Sequence, residues 1–189
     1  MKLNLKDKKV LVTGSSSGIG LGIVKAFIDQ GSQVIANSRS QSSLNVAIKG
    51  LRCHGIAADV TSPDDCKMLV TKVIDILGGI DILVCNVGSG ISVKPGDENF
   101  DEWQKSFLKN FFSATNIIES SQSQLSKSNG VILCISSICG SRTIKGAPVT
   151  YSVSKAALNS YIKGIAGPFS DQGIRINAIS PGNIRFENS

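Results

Sequence analysis

The sequence predicts an α/β fold, a doubly wound open sheet of parallel strands with helices on both faces. Three observations carry that expectation. Short apolar runs rich in Val, Ile and Leu alternate with longer amphipathic segments from one end of the chain to the other, as expected of strands buried on both faces and connected by helical crossovers. The first apolar run, Val10-Leu11-Val12, ends in the glycine-rich stretch Thr13 to Gly20 and passes at once into the apolar-periodic segment Leu21 to Ile28. The 189 residues, 41% hydrophobic and 18% charged, suffice for one domain with a continuous core and argue against disorder.

Taken in order, the strands are expected at Lys9–Val12, Gln33–Ala36, Gly55–Asp59, Asp81–Cys85, Gly130–Ile135 and Arg175–Ile179. Each is a short apolar run bounded by turn residues. Helices are expected at Gly18–Gln30, Ser42–Lys49, Pro63–Leu77, Phe100–Ser126 and Tyr151–Ser170. The third has a strong start in Thr61-Ser62-Pro63-Asp64-Asp65: a hydroxyl cap, proline in the first turn, then acids against the positive end of the helix dipole. No linker, low-complexity tract or compositional break divides the chain, so residues 1–189 read as one domain.

Composition excludes several classes. Five cysteines, Cys53, Cys66, Cys85, Cys134 and Cys139, form no C-x-x-C pair, and His54 is the single histidine. Scattered ligands of this kind predict reduced thiols and no metal site. The net charge of +6 is mild and dispersed, which suits an anionic small molecule at least as well as a nucleic acid, whose binders usually cluster basic residues with aromatics. No apolar stretch approaches the ~20 residues of a membrane span, and Met1 to Lys6 carries no signal-peptide core. A soluble, cytoplasmic protein with no membrane partner is expected.

The stretch Thr13-Gly14-Ser15-Ser16-Ser17-Gly18-Ile19-Gly20 carries the strongest chemical signal. A strand that turns on glycines into a helix aims unpaired N–H groups and a positive dipole end at an anion; the competing reading is a structural turn. In an open α/β sheet, ligands bind beyond the carboxyl ends of the strands. After strand two comes Asn37-Ser38-Arg39, where an arginine without a carboxylate suits a ribose 2′-phosphate rather than a 2′-hydroxyl. Arg39 as a solvated surface charge is the alternative. Asp59, before Val60, either accepts from an adenine amino group or begins the turn into the next helix. Asn86-Val87-Gly88 would pass close to the ligand. Strand five runs into Ser136-Ser137, and strand alternation sends only one of these, Ser137, to the site. Tyr151 and Lys155 stand one helical turn apart on one face. A cation there lowers a phenol pKa from about 10 toward neutrality and makes an acid–base group.

Together these motifs resemble the short-chain dehydrogenase/reductase family over essentially the whole chain. Thr13 to Gly20 is similar to its Thr-Gly-x-x-x-Gly-x-Gly cofactor turn, Asn86-Val87-Gly88 to its Asn-Ala-Gly turn, and Pro181-Gly182 to the turn flanking the nicotinamide. The resemblance implies a Rossmann-type sheet of strand order 3-2-1-4-5-6 and hydride transfer between a nicotinamide and a carbonyl/alcohol pair. It implies catalytic roles for Asn110, Ser137, Tyr151 and Lys155. Tyr151 would be general acid/base, Lys155 would lower its pKa and bond the nicotinamide ribose, Ser137 would orient the carbonyl, and Asn110 would hold a water leading from Lys155 to solvent. It places the cofactor on Gly14, Ser16, Ser17, Gly18, Ile19, Gly20, Ser38, Arg39, Asp59, Val60, Asn86, Val87, Gly88, Tyr151, Lys155, Pro181, Gly182 and Ile184. Ser38 and Arg39 lie where the family selects its cofactor, which favours NADP(H) over NAD(H). Assembly through the two long helices, as a homodimer or homotetramer, is also implied.

The chain departs from the family pattern in three places. Val87 replaces the usual alanine, and Phe186 stands where a threonine often holds the carboxamide. The sequence stops at Ser189, before the family's substrate lid, last strand and last helix, so the chain is expected to be C-terminally truncated. A non-catalytic nucleotide-binding fragment is therefore the rival reading. A serine hydrolase fits Gly14-Ser15-Ser16-Ser17-Gly18 as a nucleophile elbow but lacks a late histidine to complete a triad. The residues do not name the carbonyl substrate, which could be sugar-related, a 3-oxoacyl group or another.

Overall fold

A computed structural model describes residues 3–184, and within them six strands form one parallel sheet in the order β3-β2-β1-β4-β5-β6. The strands are β1 (Lys9–Val12), β2 (Gln33–Ser38), β3 (His54–Ala57), β4 (Ile82–Cys85), β5 (Val131–Ile135) and β6 (Arg175–Ile179). The helices are α1 (Gly18–Asp29), α2 (Gln41–Ala47), α3 (Pro63–Leu77), α4 (Phe100–Phe107), α5 (Ser113–Lys127) and α6 (Val149–Ser170). The order reverses between β1 and β4, which opens the crevice where such sheets bind ligands.

Register follows from the alternation of side chains along each strand. Val10 aligns with Val34 on one side and Ile82 on the other, and Leu11 aligns with Ile35 and Leu83. Leu11, Ile35, Leu83, Ile132 and Ile176 point to one face and pack with α3, α5 and α6. Val10, Val12, Val34 and Val84 point to the other, against Val24 of α1 and Leu44 of α2. Both faces are covered at the centre of the sheet, so β1 and β4 read as continuous apolar runs, whereas the edge strands β3 and β6 carry polar residues and are partly exposed. Among the described residues no helix is long and apolar enough to cross a membrane.

The largest difference from expectation is in the long helix Phe100–Ser126. It is interrupted by a π-helical turn, Leu108–Phe112. A turn with i→i+5 bonds inserts one residue and rotates everything after it, so α4 and α5 present different faces. Asn110 sits in this turn and is buried. The third strand is also shorter than expected: it begins at His54 and ends at Ala57, leaving Asp59 in the following loop. The Asn37 amide donates to the carbonyls of Ile56 and Ala58, at 3.1 Å each. Asp59 Oδ1 accepts from the Thr61 N–H (3.0 Å) and hydroxyl (2.8 Å), turning the chain toward α3. Shifts elsewhere trace to caps. Ser40 accepts from the Ser43 N–H and starts α2 at Gln41, and Pro148 starts α6 at Val149, two residues before Tyr151. Phe186 lies outside the described residues.

Candidate active site

A cleft of about 1010 Å³ runs along the carboxyl ends of the strands. Its first wall is the glycine turn. Gly14 has φ +61°, a conformation in which a side chain is strained. A Cβ on Gly20 would collide with the Gly14 carbonyl and lie 2.5 Å from Asn86 Nδ2, so glycine is required by space at that point. Ser17 precedes α1 in an extended conformation and makes no side-chain cap, and the first turn holds no acid. The first N–H groups of α1 are therefore left for an anion.

Buried polar side chains fasten this turn to the sheet. The Ser15 hydroxyl donates toward Val12 O (2.9 Å) and Asn37 O (3.2 Å) and accepts from the Asn37 N–H (2.9 Å). Thr13 Oγ1 accepts from the Asn86 N–H (3.1 Å), and Asn86 Nδ2 donates to Thr13 O (3.2 Å) and Gly14 O (2.9 Å). The ends of β1, β2 and β4 are thus locked together beneath the glycines. Asn37 lines the cleft, and its buried Oδ1 has no hydrogen-bond partner among the described residues.

Farther along β2, Ser38 and Arg39 line the cleft. Arg39 is exposed, and neither ion pair among the described residues, Lys67–Asp64 and Lys105–Glu102, involves it. Asp59 also lines the cleft, but its Oδ1 serves the turn into α3, the structural alternative seen in the sequence. Val60, Val87, Pro181 and Gly182 complete this wall, whereas Ile184 is half-exposed and lies outside it.

The candidate catalytic group converges on the other end. Lys155 is 3% exposed and donates from Nζ to Ile135 O at 2.8 Å. Burial lowers its pKa to about 8 from the ordinary 10.5, opposed by the neighbouring thiols of Cys134 and Cys85. A Cβ on Gly88 would meet Asn110 Oδ1 at 2.9 Å and Lys155 Nζ at 3.0 Å, so both groups close on that backbone. Asn110 accepts from the Ser89 N–H (2.8 Å) and donates to Ser89 O and Ser106 O (3.1 Å each). Tyr151 lies one turn before Lys155, and a Cβ on Gly90 would be 3.8 Å from its ring. Ser137 Oγ accepts from the Cys139 N–H at 3.2 Å, opening the 3₁₀ turn Ile138–Gly140, and its own proton remains to be donated.

Ser136 corrects one expectation. β5 ends at Ile135, so strict alternation does not extend to Ser136 and Ser137, and both line the cleft. The Ser136 hydroxyl is directed toward the backbone, to Lys155 O at 3.5 Å. Sequence reasoning gave no role to Ser15, Asn37 or Ser106. Small polar residues beside apolar runs were the only signal, and it does not distinguish a surface turn from a buried tie.

A switch-point cleft, a glycine-rich strand-to-helix turn and a Tyr-x-x-x-Lys helix face are the pattern of a dinucleotide-binding oxidoreductase. The chain belongs to the short chain dehydrogenase family, whose model matches residues 8–188, and that family binds a nicotinamide cofactor. It is 36% identical over 189 residues to the uncharacterized oxidoreductase YvrD of Bacillus subtilis, covering 96% of this chain and 70% of that protein. It is 32% identical over 185 residues to L-fucose dehydrogenase of Oryctolagus cuniculus, covering 94% of this chain and 63% of the relative. The crystal structure of gox2181 superposes with a TM-score of 0.90 at 28% identity, over 95% of this chain and 73% of that one.

Proposed function

We propose that the chain is an NADP(H)-dependent oxidoreductase that interconverts a carbonyl and a secondary alcohol, with Tyr151 as the general acid/base. The observation that carries this reading is the convergence of Tyr151, Lys155, Asn110 and Ser137 in one cleft with the glycine turn. The residues fit a dinucleotide. Gly14 and Gly20 let the turn close tightly against Asn86 and Val87, the N–H groups at Gly18, Ile19 and Gly20 suit a pyrophosphate, and Asn37 Oδ1 is an acceptor without a donor among the described residues. Ser16 and Ser17 add hydroxyls beside them. Arg39, in no ion pair among the described residues and with no carboxylate at the end of β2, supports a 2′-phosphate and hence NADP(H). When bound, the nicotinamide supplies or accepts the hydride.

The chain's own groups handle the proton. Tyr151 donates its phenolic proton to the alkoxide oxygen formed in reduction and takes it back in oxidation. Lys155, held by Ile135 O, places an ammonium on the same helix face as the Tyr151 phenol. Ser137 donates its free hydroxyl proton to the substrate oxygen and orients it. Asn110 Oδ1, beside Lys155 Nζ at Gly88, retains a lone pair for a water that returns the proton to solvent.

The five free thiols suit a reducing, cytoplasmic setting. Exposed Phe100, Leu108 and Phe112, beside a groove of about 640 Å³ with Trp103 and Phe107 in its wall, support pairing of two copies through the helices.

The test compares NADPH and NADH in wild type, Arg39→Asp and Tyr151→Phe over a panel of carbonyls that includes aldose and 3-oxoacyl compounds. Expected are a preference for NADPH that Arg39→Asp moves toward NADH, and loss of turnover with retained cofactor binding in Tyr151→Phe. Equal kinetics with both cofactors before and after the arginine change would overturn the NADP(H) assignment. Tight NADPH binding without turnover of any carbonyl would leave a nucleotide-binding protein and sink the enzymatic reading.

A further inference from the structure

Helix α6 carries two adjacent polar stripes. Tyr151 and Lys155 form one, and Thr150 and Ser154, each one residue earlier, form the other at roughly 100° around the axis. Thr150 and Ser154 are fully buried, and each is paired with a hydroxyl from a different element. Thr150 Oγ1 lies 2.7 Å from Oγ of Ser92, in the loop after β4. Ser154 Oγ lies 3.2 Å from Oγ of Ser106, on α4, which is itself buried.

The direction of the second pair follows from counting protons. Ser154 Oγ donates its single proton to Tyr151 O at 2.8 Å, so Ser106 must donate to Ser154. The result is a short chain of donors that starts at Ser106, passes through Ser154 and ends on the backbone of Tyr151. Asn110 is oriented separately, by the Ser89 N–H on its Oδ1 (2.8 Å) and by its Nδ2 on Ser89 O and Ser106 O (3.1 Å each).

We propose that the Ser106–Ser154 and Ser92–Thr150 pairs are positioning latches: they fix the rotation of α6 about its axis so that Tyr151 and Lys155 aim into the cleft. The proposal rests on the oxidoreductase reading above and deepens it. Apolar contacts alone leave a helix free to rotate by small amounts, whereas a hydroxyl pair is satisfied at one angle and is costly to leave unmade in a dry interior. Thr150 and Ser154 lie outside the cleft wall, whereas Ser92 and Ser106 line it.

The test uses the full chain and the variants Ser106→Ala, Ser154→Ala, Ser106→Ala/Ser154→Ala, Thr150→Val and the conservative Ser154→Thr. The expected result is a kcat reduced about tenfold or more in the single Ala variants, with the Kd for NADPH in Ser154→Ala within about twofold of wild type, since Ser154 lies outside the cleft wall. The double variant is expected to be no worse than either single one, because both cut one chain. A readout independent of turnover is the Lys155 ionisation followed by ¹³Cε NMR. Its charged or titratable neighbours are Cys85 on β4, Cys134 on β5 and Tyr151 on its own helix. Loosened packing admits water, so the midpoint, about 8 in wild type, should rise by half a pH unit or more, and Ser154→Thr should restore it.

A lowered melting temperature with kcat, its pH profile and the Lys155 midpoint all unchanged would show the pairs to be ordinary packing and overturn the proposal. Should wild type turn over no carbonyl, the functional reading fails, yet the Lys155 midpoint still decides whether the latches hold α6. If an Ala variant does not fold, Ser106→Cys, which keeps volume but weakens the donor, is measured in the same way.

Discussion

Lys155→Met separates the demands of function from those of stability. Inside the fold the ammonium loses its proton near pH 8, against an ordinary 10.5, because burial disfavours the charged form. In the unfolded chain it keeps that proton to about 10.4. Between those limits the unfolded state binds more protons, so folding stability rises with pH at up to about 1.4 kcal/mol per pH unit. Below pH 8 the full effect applies: at pH 7 the buried ammonium costs about 3 kcal/mol. Methionine has similar length and no charge, and it removes this dependence. It also strips Ile135 O of its donor, a loss of about 1–3 kcal/mol that does not vary with pH. The quantity to measure is therefore the difference in unfolding free energy between variant and wild type, from urea titrations at pH 7, 8, 9 and 10. That difference should shift by about 3 kcal/mol toward wild type as pH rises. A difference constant to within about 0.5 kcal/mol across the range would mean that Lys155 is hydrated in the native state, contrary to its position against Ile135.

Gly20→Ala places a methyl group against the Gly14 carbonyl and 2.9 Å from Ser15 Cα; because the obstruction is backbone, we expect a loss of about 1–3 kcal/mol in chemical denaturation and loss of NADPH binding by fluorescence titration. Ser62→Ala removes the hydroxyl that accepts from the Asp65 N–H at the start of α3 and should cost about 1 kcal/mol without changing cofactor affinity. Cys66, Cys85 and Cys134 are buried, and burial pushes the Cys66 thiol up to about 12. The Cys85 thiol is raised by its hydrogen bond to Cys134 and by burial. Ellman's reagent should therefore reach only Cys53 and Cys139 in native protein and all five thiols in denaturant.

The sequence determined the sheet and the main chemical groups, for a physical reason: both are written in local order. Continuous apolar runs mark the central strands because a sheet covered on both faces needs apolar residues at every position, as Val10, Leu11 and Val12 illustrate; the edge strands β3 and β6 are shorter on apolar residues and partly exposed. Tyr151 and Lys155 share a face because four residues make about one helical turn. The glycine spacing shows in the sequence because Gly14 and Gly18 have positive φ and Gly20 has no space for a side chain. Tertiary structure decided what depends on groups distant in the chain. The π turn at Leu108–Phe112 leaves no mark in the periodicity of the long helix, yet it carries Asn110 to Ser89. The lowered Lys155 pKa comes from desolvation by surrounding elements, which no spacing encodes. Ser15, Asn37, Ser106 and Ser154 are unremarkable polar residues in the sequence; they become ties because folding removes water and leaves each hydroxyl or amide dependent on a partner from another element.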